Sequence, residues 1–374
     1  MYRPRYSALE SSNEAYAEDL RQKLYQGRKR QVRSAIILIL GFIAVSIIFR
    51  AYNFITGGIT GGKSTTQNFA KKESFGLFID IPNDTWKQKK AASKKAVKLQ
   101  SKMIATTSNM LSESGANLDE TKWWEQNWLP NFECDNQLFI GGKWICEPIR
   151  IVDLADQNKR VKGKKKKKKQ RGRRGCLIYI SGGNDMEFGH QFLAFVEARM
   201  QQLHENQPGV DLSLCEVHIF NHFITDPTLL ANNNMQQQGK GIHIHPFGFR
   251  PENKGSMGAP GNFKTFKEAV KELGHNGKSL SILSLDCEGC EWDLYRDILS
   301  SGLTIQQILV QMHGTPFIAN RFFSTLHNAG YAIYRREQVG VGVYDYSFLK
   351  LSPSYFGFKF PRLFLRPASN GLGQ

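Results

Sequence analysis

The chain has 374 residues, a net charge of +17, 41% hydrophobic residues and six cysteines. That length holds one α/β core of about 200 to 250 residues with appendages. Twelve basic residues crowd between Lys159 and Arg174, and without them the excess falls to +5, so a uniformly basic nucleic-acid-binding surface is excluded.

The first element is Ala35 to Phe49, AIILILGFIAVSIIF, which is free of charge and extends through Tyr52 to Ile55 if Arg50 snorkels to the interface. At about 1.5 Å per residue the longer span, 35–55, covers a hydrocarbon core. Arg21, Lys23, Arg28, Lys29, Arg30 and Arg33 precede it, whereas only Arg50 follows closely. The positive-inside rule then predicts a single-pass type II anchor with a luminal C-terminal part. A cleaved signal peptide is the competing reading; against it stand a long leader and no small-x-small site after Phe49. Asn83-Asp84-Thr85 is a glycosylation sequon on the predicted luminal side.

Residues 56–122 read as a polar, lysine-rich stem with a helix from Trp86 to Met110 whose lysines form a solvated face. Trp123, Trp124 and Trp128 mark the point where this stem docks on packed structure. Cys134 and Cys146 flank a Gly141-Gly142 turn and are expected to pair in an oxidising lumen. The basic insert, 159–174, contains six consecutive lysines, which repel one another and bury nothing, so a disordered loop is expected there.

Cys176 to Gly183, CLIYISGG, is an apolar run ending in paired glycines. It reads as a buried parallel strand running into a turn that lets a cofactor approach the backbone. Glu187 to His204 has helix length, CEVHIFN (215–221) reads as a second strand, and Thr265 to Leu273 as a further helix. His243 and His245 share a face of an extended segment, a metal-compatible spacing for which no third ligand is identifiable nearby; a polar cleft edge or exposed strand is the plainer expectation. His275 reads as structural. Ser281 to Trp292, SILSLDCEGCEW, drives an apolar run into Asp286, Glu288 and Glu291, and Ile305 to Gly314 ends another in His313. In open α/β sheets ligands bind beyond such strand ends. Asp286 and Glu288 alternate along an extended chain and are expected on one face. Cys287 and Cys290 form a lone Cys-x-x-Cys, for which neither a zinc site nor a redox site is favoured.

The set CLIYISGGNDMEF, CEVHIFN, LGHNGKSLSILSLDCEGCEWDLY, ILVQMHG and GYAIYRRE through YSFLKL resembles the methyltransferase-like domain family typified by methyltransferase-like protein twenty-four, itself similar to FkbM-type sugar methyltransferases. NFECDNQLFIGGKWICEP resembles that family's entry segment. The resemblance implies a Rossmann-like class I methyltransferase, a doubly wound, mostly parallel α/β sheet, using S-adenosylmethionine. It places Gly182, Gly183, Asn184 and Asn221 at the cofactor and His313, Asp286 and Glu288 at the chemistry, with no metal assigned. Three positions depart from the family pattern: Asn221 for an acid, Gln311 for a glutamate and Gly189 for a glutamate.

The chain then divides into a cytosolic tail (1–34), an anchor (35–55), a stem (56–122), a methyltransferase-like domain (123–365) and a C-terminal tail (366–374). The expected acceptor is a glycan or glycoconjugate hydroxyl in the Golgi or endoplasmic reticulum, with the basic insert attracting acidic glycans. Two alternatives stand beside it: a catalytically inactive domain that only binds, and a nucleic-acid-associated protein using Lys159 to Arg174. The insert has no interleaved aromatics and the anchor puts it in the wrong compartment, which disfavours nucleic acid as a partner.

Overall fold

The apolar runs read as buried strands lie side by side, and their burial explains their composition. The computed structural model describes residues 68–113, 120–164, 176–182, 186–205, 214–223, 241–252, 262–314 and 318–356. Strands β3 (Cys176–Gly182), β4 (Cys215–Phe220), β5 (Ile242–His245), β8 (Ser279–Asp286) and β9 (Thr304–His313) are mutually parallel. They are joined by β10 (Tyr331–Gly340) and β11 (Val343–Lys350) in the order β10-β11-β9-β8-β3-β4-β5, with β11 antiparallel to both its neighbours. Two short pairs stand apart: the antiparallel hairpin β1 (Gln137–Ile140) and β2 (Lys143–Cys146), and the parallel pair β6 (Gly248–Arg250) and β7 (Phe263–Thr265). The expected Rossmann-like, doubly wound sheet is present.

Helices cover both faces, so residues alternating along each strand are buried in two separate cores. Ile178 and Ile180 of β3 pack with Phe188, Phe192, Val196 and Met200 of α5 (Met186–Leu203) and with Ile151 and Val152 of α4 (Pro148–Lys164). Leu177 and Tyr179 face the opposite core, with Phe266 of α6 (Phe266–Glu272), Leu294 and Ile298 of α7 (Glu291–Ser300) and Phe322 and Phe323 of α8 (Ala319–Asn328). Each fully buried phenylalanine here contributes about 1.5–3 kcal/mol. Thr265 starts α6 with a reciprocal capping box to Glu268, which satisfies two backbone donors at the helix start.

Gly189 has a packing reason. A Cβ there would stand 3.2 Å from Ile219 Cδ1 and 3.4 Å from Ile180 Cδ1, so glycine lets α5 lie close on β3 and β4. A glutamate at this place would put its carboxylate in an apolar core.

Two expectations need correction. The segment expected as a stem is part of the domain: α1 (Phe69–Glu73) and α2 (Asn83–Glu113) pack on it, with Trp86, Ser93, Val97, Gln100 and Ile104 forming one buried stripe along α2. The lysines drew attention to the outer face, whereas the stripe on the inner face decides where the helix goes. The basic insert begins later than expected, because α4 stays helical to Lys164; positions 165–174 lie outside the described residues. The docking tryptophans do dock: Trp124 of α3 (Glu120–Gln126) stacks on Tyr344 at 4.9 Å and Trp128 on Phe323 at 5.0 Å. The predicted anchor, 35–55, and both tails lie outside the described residues, among which no helix is long and apolar enough to cross a membrane.

All six cysteines are paired. Cys134–Cys146 joins the hairpin to the irregular segment before it, as expected. Cys176–Cys215 links register partners at the starts of β3 and β4, and Cys287–Cys290 closes the turn after β8.

Candidate active site

Strand β3 continues through the chain to β4 on one side, while its other neighbour, β8, comes later in sequence. Connections leaving in opposite directions open a crevice beyond the carboxyl ends of these strands. A cleft of about 320 Å³ lies there, lined among others by Ser181, Gly182, Phe220, Asn221, Phe223, Asp286 and Glu288. Phe249 and Phe263 complete an aromatic wall, and Phe223 is 73% exposed at its mouth.

Gly182 and Asp286 are direct partners in the β3–β8 register, so the glycine turn and the first carboxylate meet at one rim. Gly182 has φ 151°, a conformation that side-chain-bearing residues rarely adopt, which leaves bare backbone facing the cleft. Gly183 and Asn184 lie outside the described residues. Asn221 lines the cleft, and its Oδ1 accepts a hydrogen bond from the Phe223 N–H at 2.8 Å, so the side chain also shapes its own turn.

The expected shared strand face for Asp286 and Glu288 does not form. Strand β8 stops at Asp286, the Cys287–Cys290 bridge closes a turn, and Glu288 sits in it with φ 52° followed by Gly289 with φ 110°. Both residues nonetheless line the cleft, from a strand end and a turn respectively.

Glu291 is the residue whose role the sequence left undefined. It opens α7, is only 1% exposed, and places its carboxylate at a helix N-terminus, where backbone donors lack intrahelical partners. Its Oε2 accepts from the Gly289 N–H at 2.8 Å and its Oε1 from the His313 N–H at 2.8 Å. The same Oε1 lies 3.4 Å from His313 Nδ1. The signal was available: an acid directly after a strand-end turn and before an amphipathic helix is a helix-start residue.

His313 ends β9, outside the cleft lining but beside it, with Nε2 3.9 Å from Asp286 Oδ1. The Trp292 Nε1–H donates to the His313 carbonyl at 2.9 Å, which fixes the backbone that carries the ring. Gln311, two residues back, donates to Asp345 Oδ1 at 3.0 Å and belongs to the contacts between β9 and β11.

The other histidines gather elsewhere. His243 and His245 do not edge the cleft; their rings stack on His218 of β4 at 4.8 and 5.1 Å. His275, expected to be structural, is 2% exposed, with Nδ1 2.5 Å from the Tyr179 hydroxyl. Burial pushes His245 down to about 3, with neighbouring imidazoles adding, and also lowers His218. Hydrogen bonds from His218 and His275 hold the Glu216 carboxyl well below the usual carboxylate range.

A family model described as a methyltransferase domain matches residues 68–350, a span that includes α1 and α2. No curated protein sequence matches the chain significantly. Among solved structures, the precorrin-6y C5,15-methyltransferase of Geobacter metallireducens GS-15 is similar at 9% identity and a TM-score of 0.26, over 47% of this chain and 82% of that one. The Streptococcus pneumoniae protein Sp1610, solved with S-adenosyl-L-methionine, is similar at 12% identity and a TM-score of 0.26, over 55% and 75%. The N-terminal domain of EvdMO1, solved in the presence of SAH and D-fucose, is similar at 10% identity and a TM-score of 0.26, over 54% and 83%. Scores this low leave the assignment to the strand order, the cleft at its switch point and the match over most of the chain, and on those the chain belongs to the methyltransferase domain family.

Proposed function

We propose that this domain moves a methyl group from S-adenosylmethionine to a hydroxyl oxygen of a glycan or glycoconjugate, with His313 as general base. The observation that carries the reading is the convergence of Gly182, Asp286 and the Glu291-supported His313 at the switch point of the sheet. The cleft fits the donor's chemistry: bare backbone at Gly182, an aromatic wall suited to a purine, and two carboxylates suited to a cation. When bound, S-adenosylmethionine supplies an electrophilic methyl on a sulfonium centre.

The residues of the chain do the rest. Asp286 and Glu288 set a negative potential at the rim, and the Asn221 amide offers hydrogen bonds to a ribose hydroxyl. With Nδ1–H directed at Glu291 Oε1, the lone pair of His313 sits on Nε2, beside Asp286. An acceptor hydroxyl bridging them from one side loses its proton to Nε2 as the methyl arrives. Holding the two reacting atoms in line supplies much of the acceleration.

The luminal, single-pass type II placement, the sequon at Asn83 and attraction of acidic glycans to the basic insert belong to this proposal. Three disulfides using every cysteine support an oxidising compartment. A second reading, a domain that binds without transferring, is favoured by Asn221 standing in for an acid and committing its oxygen to Phe223.

The test is transfer of labelled methyl from S-adenosylmethionine by the full-length protein in detergent across a glycan panel. Label enters at least one acceptor with the wild type and is lost with His313→Ala and lowered with Asp286→Asn. Transfer that neither substitution changes contradicts the assigned roles.

A further inference from the structure

Two buried imidazoles, His218 at 3% and His275 at 2% exposed, turn their Nε2 atoms toward one oxygen, Oε1 of Glu216, at 3.1 and 3.6 Å. They come from different places: Glu216 and His218 from β4, His275 from the turn between α6 and β8. Polar rings rarely sit this deep unless each nitrogen is used. Here each is. His218 Nδ1 is 2.8 Å from His245 Nε2, and His275 Nδ1 is 2.5 Å from the Tyr179 hydroxyl.

We propose that Glu216, His218 and His275 form a binding site for a divalent transition-metal ion of the zinc class. The three ligand atoms all lie within 4.8 Å of one another. Zinc with nitrogen and oxygen ligands at about 2.0–2.2 Å in a tetrahedron separates those ligands by roughly 3.3–3.6 Å. Two of the three separations, 3.1 and 3.6 Å, are already close to that, and the third is within 4.8 Å.

The hydrogen bonds on the far nitrogens are the independent mark of a ligand set. Metal-ligating histidines characteristically give their second N–H to an outer acceptor, which fixes the ring and the tautomer. His245 Nε2 and the Tyr179 oxygen are those acceptors, and both rings would present Nε2 lone pairs to the ion. The Glu216 side chain is 45% exposed, which leaves an entry route to the cluster on that side. Cys287, Cys290 and Glu291 also lie close together, but both sulfurs are in a disulfide and offer no thiolate.

Such an ion ties β4 to the turn that leads into β8. The inference stands apart from methyl transfer. Untagged full-length protein is stripped with a chelator, dialysed, and titrated with zinc chloride by calorimetry, with metal content measured on the recovered protein. One zinc per chain is expected, with affinity falling at least 100-fold in His275→Ala and Glu216→Gln. Tyr179→Phe costs about tenfold, the size of an outer-acceptor loss, while His243→Ala changes little because His243 only stacks on His218. Melting curves separate misfolding from lost ligation: metal-free Glu216→Gln still melts cooperatively, below the metal-free wild type because its hydrogen-bonded charge is gone, and zinc raises only the wild type. No stoichiometric zinc on the wild type, or equal uptake by Glu216→Gln and His275→Ala, overturns the site.

Discussion

The cleft at the strand ends and the histidine cluster on the flank of β4 use the same residue types under different solvent exposure. At the cleft rim, Asp286 and His313 are each about a fifth exposed and stand 3.9 Å apart, near enough for one incoming hydroxyl to bridge both from the side. In the cluster, His218 and His275 are sealed and every ring nitrogen has a partner at 2.5 to 3.6 Å. Open geometry suits a proton that must move, and closed geometry suits ligands that must stay. The fully buried Glu291 links these two modes: it is fixed like the cluster but serves the cleft.

The largest effect that sharpens this contrast is on turnover. His313→Ala is expected to lower kcat by about 10²- to 10⁴-fold, the usual span for a general base, while leaving the melting temperature near that of the wild type. Glu291→Gln comes next. Its Oε1 and Oε2 each accept a backbone N–H, and a glutamine amide has one oxygen for the two, so either Gly289 or His313 loses its acceptor. The expected cost is about 1–3 kcal/mol in chemical denaturation, together with reduced turnover. An unchanged unfolding midpoint would mean that Glu291 does not hold the turn.

A smaller effect tests the cluster in acid. His218 and His245 have folded values below their ordinary 6.5, with His245 near 3 among His218, His243, His275 and Lys264. The unfolded chain therefore binds more protons in acid, so stability is whole above pH 6.5 and falls as pH drops toward 3. Glu216, whose folded value is also depressed, loses its contribution further into acid. In metal-free protein, His245→Gln flattens the upper part of this decline, measured as denaturation midpoint against pH. An equally steep decline in that variant would mean the titration lies elsewhere.

Much of the fold was legible because strand and helix patterns are local. Apolar runs closed by glycine, histidine or acid marked β3, β8 and β9, and the helix-length segment from Thr265 to Leu273 marked α6. The rim was legible for the same reason: Asp286 and Gly182 each end their own strand. What stayed hidden depends on pairing at a distance. Cys176 and Cys215 are 39 residues apart and meet only when β3 and β4 align. The histidine cluster needs β4, β5, the α6–β8 turn and Tyr179 of β3 in one place, so spacing singled out His243 and His245 and passed over His218. Glu288 was misplaced because a disulfide turns the chain away from the strand direction at Cys287.

Equilibrium binding of S-adenosylmethionine to the purified full-length protein, compared with Gly182→Ala and His275→Ala, tests the central claim most directly. The account predicts one saturable site, weakened by Gly182→Ala because any side chain strains the backbone at φ 151° and fills the rim, and unaffected by His275→Ala. A wild type that binds no S-adenosylmethionine, or a folded Gly182→Ala that binds it equally well, would contradict it.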